Sequence, residues 1–217
     1  MDVRTYVEKD QDPWDLLKAG VNKRRATLLK KHIGKAGLVL DVGCAFGIYS
    51  NFLRSLGNYV VGVDASKRLV SEGKRRFGGT FALGRGESLP FKDDTFNAVL
   101  CMGTLIYSNQ RGQFLSELHR TLRKGGQLCI IERNRNSPMH KIIGKLKTNE
   151  NAVDNPDHYF TVSELKKLVE EAGFTVKRIK GDTISLPFFS MHKLAEIFPS
   201  LAYFLVFECK KEQQLQH

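Results

Sequence analysis

Two aspartates bracket the most chemically suggestive stretch of this chain. The run Asp41-Val42-Gly43-Cys44-Ala45-Phe46-Gly47 follows a short apolar segment. Asp64 closes the next apolar segment, at about the twenty-residue separation a nucleotide-binding turn requires. Small residues at Gly43, Ala45 and Gly47 let the backbone approach a ligand closely. A carboxylate at Asp64 can accept two hydrogen bonds from a ribose diol. Three further residues have the chemistry to act on a substrate: Tyr107, His158 and Tyr159. A histidine can move a proton near neutral pH, and an aromatic ring can flank an acceptor or pack beneath a loop.

The spacing also discriminates between ligands. A dinucleotide fingerprint needs glycines at its first, third and sixth positions. Counted from Gly43, those positions hold Gly43, Ala45 and Ile48, which shapes the turn poorly for a pyrophosphate. Asp41 adds negative charge where a pyrophosphate would have to sit. An acid there suits a ligand with an amino group, and S-adenosylmethionine has an amino group, a ribose diol and no phosphate.

The elements that must position these residues alternate in a β–α rhythm, which argues for a mostly parallel sheet covered on both faces. Strands are expected at Leu38–Val42, Tyr59–Val63, Phe81–Leu83, Phe96–Cys101, Gln127–Ile131, Phe174–Ile179 and Ala202–Cys209. Helices are expected from Trp14 to His32, through Tyr49 and Leu56, from Lys67 to Phe77 behind a Ser66 cap, and from Gln113 to Arg123. Gly125-Gly126 reads as a turn. Thr161-Val162-Ser163-Glu164 is a capping box for a helix that ends at Ala172 and Gly173. One domain is expected over residues 1–217, with an N-terminal helical segment at 1–36 and a polar, basic insertion at 133–157 on the working face. The tail from Lys210 is polar and expected to fray.

Composition bounds the possibilities. The apolar share is 41% and the charged share 26%, enough for a sizeable core and against wholesale disorder. No apolar run reaches the roughly 18 residues of a membrane span, and the N-terminus lacks a signal-peptide pattern, so a cytoplasmic location is expected. Cys44, Cys101, Cys129 and Cys209 lack metal-site or redox spacing and are expected as buried thiols. No carboxylate cluster suggests a catalytic metal. The net charge of +11 favours an anionic partner without choosing among nucleic acid, phosphorylated metabolites and a membrane surface.

Several stretches together carry a family resemblance. They are Leu40 to Gly47, Val61-Gly62-Val63-Asp64, Glu87-Ser88-Leu89-Pro90-Phe91, Asp93 to Val99, Leu122-Arg123-Lys124-Gly125-Gly126 and Glu171-Ala172-Gly173-Phe174. In order and spacing the chain resembles the class I S-adenosylmethionine-dependent methyltransferases, in particular the group similar to ubiquinone/menaquinone-biosynthesis enzymes. The resemblance implies a Rossmann-like α/β three-layer sandwich, its seven-stranded and mostly parallel sheet having an antiparallel last strand. It also implies that Asp41 faces the methionine amino group and that Gly43, Ala45 and Gly47 line the cofactor. Asp64 would bind the ribose, Gly86, Glu87, Ser88 and Leu89 would flank the adenine, and Cys101 would lie beside the sulfonium. Two positions depart from the family pattern: Ala45 stands where a glycine is usual, and Arg85 stands where an acid often accepts a bond from the adenine amine.

The resemblance implies methyl transfer, which is mainly a matter of aligning nucleophile and methyl group. A small or lipid-linked metabolite is the leading acceptor, with the basic segment from Arg133 to Lys147 as a lid, phosphate-binding edge or interfacial helix. An RNA acceptor, favoured by charge alone, and a non-catalytic binding partner with the same fold are the alternatives.

Overall fold

The computed structural model describes residues 23–138, 158–182, 185–186, 189–190 and 197–212. Helix α1 (Lys23–His32) precedes β1 (Leu38–Val42), α2 (Ile48–Ser55), β2 (Tyr59–Asp64), α3 (Lys67–Phe77) and β3 (Thr80–Leu83). Then come β4 (Phe96–Met102), a 3-10 turn (Leu105–Tyr107), α4 (Arg111–Thr121) and β5 (Leu122–Arg133). After α5 (Val162–Glu171) and β6 (Phe174–Gly181), the short strands β7 (Ser185–Leu186) and β8 (Phe189–Ser190) form a ribbon, and β9 (Phe204–Lys211) ends the described fold.

Seven strands make one sheet in the order β3-β2-β1-β4-β5-β9-β6. All are parallel except the last in sequence, β9, which inserts antiparallel between β5 and β6. This is the architecture expected from the resemblance.

The central strands are buried on both faces, so they read as continuous apolar runs. In β1, Leu40 and Val42 enter the core beneath α4 and α5, while Val39 enters the opposite core with Leu28, Leu29 and Leu53 of α1 and α2. Two cores separated by the sheet give three layers. Each fully buried aliphatic side chain contributes about 1.5–3 kcal/mol. A one-residue slip of β1 would drive Asp41 into the α4–α5 core and forfeit several such terms, which fixes the register.

Local signals set the element ends. The Ser66 hydroxyl accepts from Leu69 N–H at 3.3 Å to start α3. Thr161 Oγ1 accepts from Glu164 N–H at 3.2 Å, and Glu164 Oε2 accepts from Thr161 N–H at 2.8 Å, completing the capping box of α5.

Three expectations need correction. Helix α4 starts and stops two residues earlier than the periodicity suggested, at Arg111 and Thr121. The Gly125-Gly126 turn is instead a bulge inside β5: Leu122 pairs with Phe96, and the next pair is Gln127 with Ala98. Gly125 supplies the positive φ, 75°, that absorbs the extra residues. Lys210 and Lys211 are not frayed but belong to β9. The Lys211 ammonium donates to Asp94 Oδ1 at 2.7 Å, His119 O at 2.9 Å and Leu122 O at 2.7 Å, which pins the strand end.

Of the expected N-terminal helix, residues 14–22 lie outside the described residues, and of the expected insertion, residues 139–157 do. Asn134, just past β5, is fully buried and donates to Ser200 O at 2.8 Å and Ala202 O at 2.7 Å, anchoring the segment ahead of β9. Among the described residues no helix is long and apolar enough to cross a membrane.

Candidate active site

Parallel strands deliver the ends of β1, β2, β3 and β4 to one edge of the sheet, where loops form the site. The chain leaving β1 is tied to β2 by Gly43 N–H and Cys44 N–H, which both donate to Val63 O, at 2.8 and 3.1 Å. Gly43 has φ 70°, and a Cβ there would stand 1.9 Å from Thr104 Oγ1. Only glycine fits, so bare backbone faces the ligand side of the turn. Two residues on, Ala45 adopts φ 49°, a left-handed conformation that costs a non-glycine residue about 1–2 kcal/mol. The hydrogen bond from Ala45 N–H to Asp64 Oδ2, 2.9 Å, helps hold it. The alanine departure is thus accommodated within the turn.

Asp64 closes β2 and accepts a second backbone bond, from Ser66 N–H to Oδ1 at 2.9 Å. Burial pushes its carboxyl upward, opposed by the N–H groups of Ser66, Ala45 and Ala65. A carboxylate offers about four acceptor sites, so these N–H groups leave acceptor capacity for a ligand.

Beside Asp64 lies a cavity of about 410 Å³, in the size range of small-ligand sites. Gly43, Asp64 and Lys67 form one wall, and Arg85, Gly86 and Glu87 form another. The turn after β4 closes the site with Thr104, Tyr107 and Ser108. Phe114 of α4 lies beneath Gly86, with its ring 2.0 Å from where a Cβ would be. Arg85 has a side chain 55% exposed, and its Nε stands 3.6 Å from Glu87 Oε2. Glu87 Oε1 accepts from Ser108 Oγ at 2.6 Å, linking the two walls.

Of the residues singled out from the sequence, the cavity brings together Gly43, Asp64, Arg85, Gly86, Glu87 and Tyr107. The others lie outside its lining. Asp41 is buried toward α2, where its carboxylate accepts from Ser50 Oγ at 2.6 Å. Its carboxyl is pushed up to about 6, chiefly by burial, with the Ser50 bond opposing and the Asp64 charge reinforcing. Ala45 and Gly47 shape the turn from behind. A Cβ on Gly47 would meet the Phe81 ring at 2.5 Å. Ser88 N–H donates to Arg85 O at 3.1 Å, and Leu89 is a core side chain. Cys101 is fully buried in the α4–α5 core, and burial pushes its thiol well up. His158 is exposed, and its carbonyl accepts from Arg111 Nη2 at 2.9 Å. Tyr159 is buried at the end of β5, and its hydroxyl accepts from Arg133.

Lys67, Thr104, Ser108 and Phe114 line the cavity without having been singled out. Thr104 had a legible signal, since it lies three residues past Cys101, which the resemblance places beside the sulfonium. Phe114 had none, because its place depends on how α4 packs.

Behind the cavity sits a buried acid that sequence reading also passed over. Glu132 of β5 is wholly buried, and its Oε1 accepts from Thr104 N–H at 3.0 Å and Leu105 N–H at 2.8 Å. Its Oε2 has no hydrogen-bond partner among the described residues. Burial pushes the carboxyl up to about 8, against the pull of those two N–H groups and of Arg111 and Arg133.

Comparisons with known proteins agree with this geometry. Residues 40–130 match the family model described as a methyltransferase domain. An uncharacterised methyltransferase of Synechocystis is 30% identical over 149 residues, 64% of this chain and 68% of that protein. The demethylmenaquinone methyltransferase of Beutenbergia cavernae is 36% identical over 121 residues, 54% of this chain, which spans only 50% of that relative. Among solved structures, a Thermotoga maritima S-adenosylmethionine-dependent methyltransferase superposes with a TM-score of 0.71 at 22% identity, covering 92% of this chain and 94% of that one. The donor set suits that cofactor: a carboxylate, Asp64, and the bare backbone of Gly43 line the cavity together. The chain belongs to the class I S-adenosylmethionine-dependent methyltransferases.

Proposed function

We propose that this methyltransferase acts on a small or lipid-linked metabolite and holds its cofactor in the cavity beside Asp64. The observation that carries the site is that Asp64 and the bare Gly43 backbone line one cavity of matching size. In this reading the ribose diol donates to the free acceptor sites of Asp64, and the adenine extends toward Gly86 and Glu87. The methionyl end lies along Gly43 and Thr104. The bound cofactor supplies a methyl group on a sulfonium, an electrophile with a good leaving group.

The chain's own work is then alignment. Glu132 holds the N–H groups of Thr104 and Leu105 and so fixes the turn that carries Tyr107 and Ser108 to the site. Tyr107 is the lining residue with the chemistry to orient an acceptor. Tyr159 stays a positioning residue, its hydroxyl engaged by Arg133. His158 stands next to it as the candidate base.

Quinone methylation by the Beutenbergia relative supports a metabolite acceptor of that kind. The net charge of +11 favours the second reading, an RNA acceptor. Incubation with methyl-labelled cofactor and, separately, total RNA, a demethylquinone panel and a polar metabolite pool distinguishes them. Label entering the quinone or metabolite fraction is the expected result. Label entering RNA alone refutes the metabolite reading.

A further inference from the structure

We propose that the turn ahead of β9 docks on an anionic membrane surface, with Ile197, Phe198 and Leu201 entering the lipid and a basic border holding the headgroups. The proposal does not depend on which acceptor is methylated. Among the described residues five large hydrophobic side chains are exposed, and three of them fall at this one turn: Ile197 at 66%, Phe198 at 50% and Leu201 at 44%. Of the other two, Leu83 lines the cavity and Tyr59 begins β2 at the far edge of the sheet. Apolar residues exposed singly need no explanation, whereas a cluster of them marks a contact surface.

The exposure is built in. Leu201 N–H donates to Phe198 O at 3.0 Å and Ala202 N–H to Pro199 O at 3.1 Å, closing a 3-10 turn at Pro199–Leu201. The buried Asn134 side chain donates to Ser200 O at 2.8 Å and Ala202 O at 2.7 Å, and Ala202 itself is fully buried. The backbone is therefore pinned to the fold while the apolar side chains stay in water.

Position and charge identify the occupant. Strand β9 runs antiparallel, so its start, where Phe204 pairs with Arg133 and Leu205 with Gly181, lies at the edge where the parallel strands end and the cavity opens. Docking through this turn brings that working edge to the membrane. Arg25 stacks over the Phe204 ring at 4.1 Å, Arg133 and Arg135 flank Asn134, and Arg178 and Lys180 lie on the outer strand β6. The acids beside these five cations are fewer: Glu164, paired with Arg135 at 2.7 Å, Asp182, paired with Arg25 at 3.3 Å, and Glu208, opposite Arg178. Size argues against a second copy of the chain as the occupant. Three side chains of about 150–250 Å² each, exposed to this degree, offer on the order of 300 Å², well short of the roughly 800 Å² per partner of a stable protein interface. An apolar contact this small holds a bilayer weakly by itself, and joined to a basic border it suits reversible binding to anionic lipid.

The test is co-sedimentation of the full chain, without cofactor or acceptor, on phosphatidylcholine vesicles and on vesicles in which about one-third of the lipid is phosphatidylserine. Wild type should bind the anionic vesicles about tenfold or more tightly than the neutral ones, and less tightly as salt is raised. The triple variant Ile197→Ser, Phe198→Ser, Leu201→Ser should lose about tenfold or more of that affinity, with thermal unfolding confirming that it folds. A Phe198→Trp protein should shift its emission to the blue relative to wild type when anionic vesicles are added, and it carries the test if the serine variant does not fold. Equal binding by wild type and the serine variant, or an unmoved tryptophan emission, means that charge alone holds the protein and overturns the proposal. So does a wild type that binds no vesicles, and self-association that disappears in the serine variant would then assign the turn to a second copy. None of these outcomes bears on the cofactor site or the acceptor, which vesicle binding does not read.

Discussion

Glu132 makes a prediction whose size follows from its surroundings. Replacing it with glutamine keeps the volume and the oxygen that receives Thr104 and Leu105 N–H but removes the titratable group. In the folded protein its carboxyl ionises near 8 instead of the ordinary 4.5. A raised value means that the folded state holds the proton more tightly than the unfolded chain does. The associated stability is therefore fully present below pH 4.5 and is lost as pH rises toward and through 8. At about 1.4 kcal/mol per pH unit of separation, wild type should lose about 4 kcal/mol from this group between pH 5 and pH 9. Asp41 and Asp64 are raised too and act in the same direction, but they are common to both proteins and cancel in the comparison. Urea unfolding of wild type and Glu132→Gln at pH 5, 7 and 9 measures the difference. The variant should gain on wild type by about 4 kcal/mol from pH 5 to pH 9. Parallel pH profiles would refute the argument, because they would mean that the carboxyl is solvated or already ionised near its ordinary value.

Further outcomes follow from other contacts. Gly86→Ala forces a methyl group into the Phe114 ring and should destabilise by about 1–3 kcal/mol, read as a lower denaturation midpoint at unchanged slope. Phe114→Leu in the same background should recover part of the loss. Thr161→Ala removes half of the capping box and should cost about 1 kcal/mol of stability in the same assay. The four cysteines are buried, and their thiols are pushed up, that of Cys129 to about 12. A thiol-reactive dye should label none of them in the native protein and all four after unfolding. Rapid native labelling of Cys101 would contradict its place in the core.

Much of this was legible in the sequence, for identifiable physical reasons. The strands of a sheet covered on both faces are apolar at most positions, so β1, β2 and β4 announce themselves without periodicity. Asp64 and Gly43 are legible because each has a backbone or ligand role that few residue types can fill. The bulge at Gly125 was less so, since a glycine pair reads equally as a turn, and only the pairing of Leu122 with Phe96 distinguishes the two. Lys211 read as tail because the two carbonyls and the carboxylate that hold it come from distant segments. Asp41 illustrates the same limit: its register position is clear, but its Ser50 partner sits on a helix whose rotation is set by tertiary packing. Glu132 reads as an acid ending an apolar strand. Its contact with the turn after β4 appears only once β4 and β5 are aligned side by side.

The central claim is that the cavity beside Asp64 binds the cofactor, and calorimetric titration of wild type and Asp64→Ala with S-adenosylmethionine tests it most directly. Micromolar binding by wild type that weakens by about tenfold or more in a folded Asp64→Ala protein is the predicted result, as expected for losing hydrogen bonds to a charged acceptor. Equal affinity in the two proteins would contradict the account and send the search for the cofactor site elsewhere on the fold.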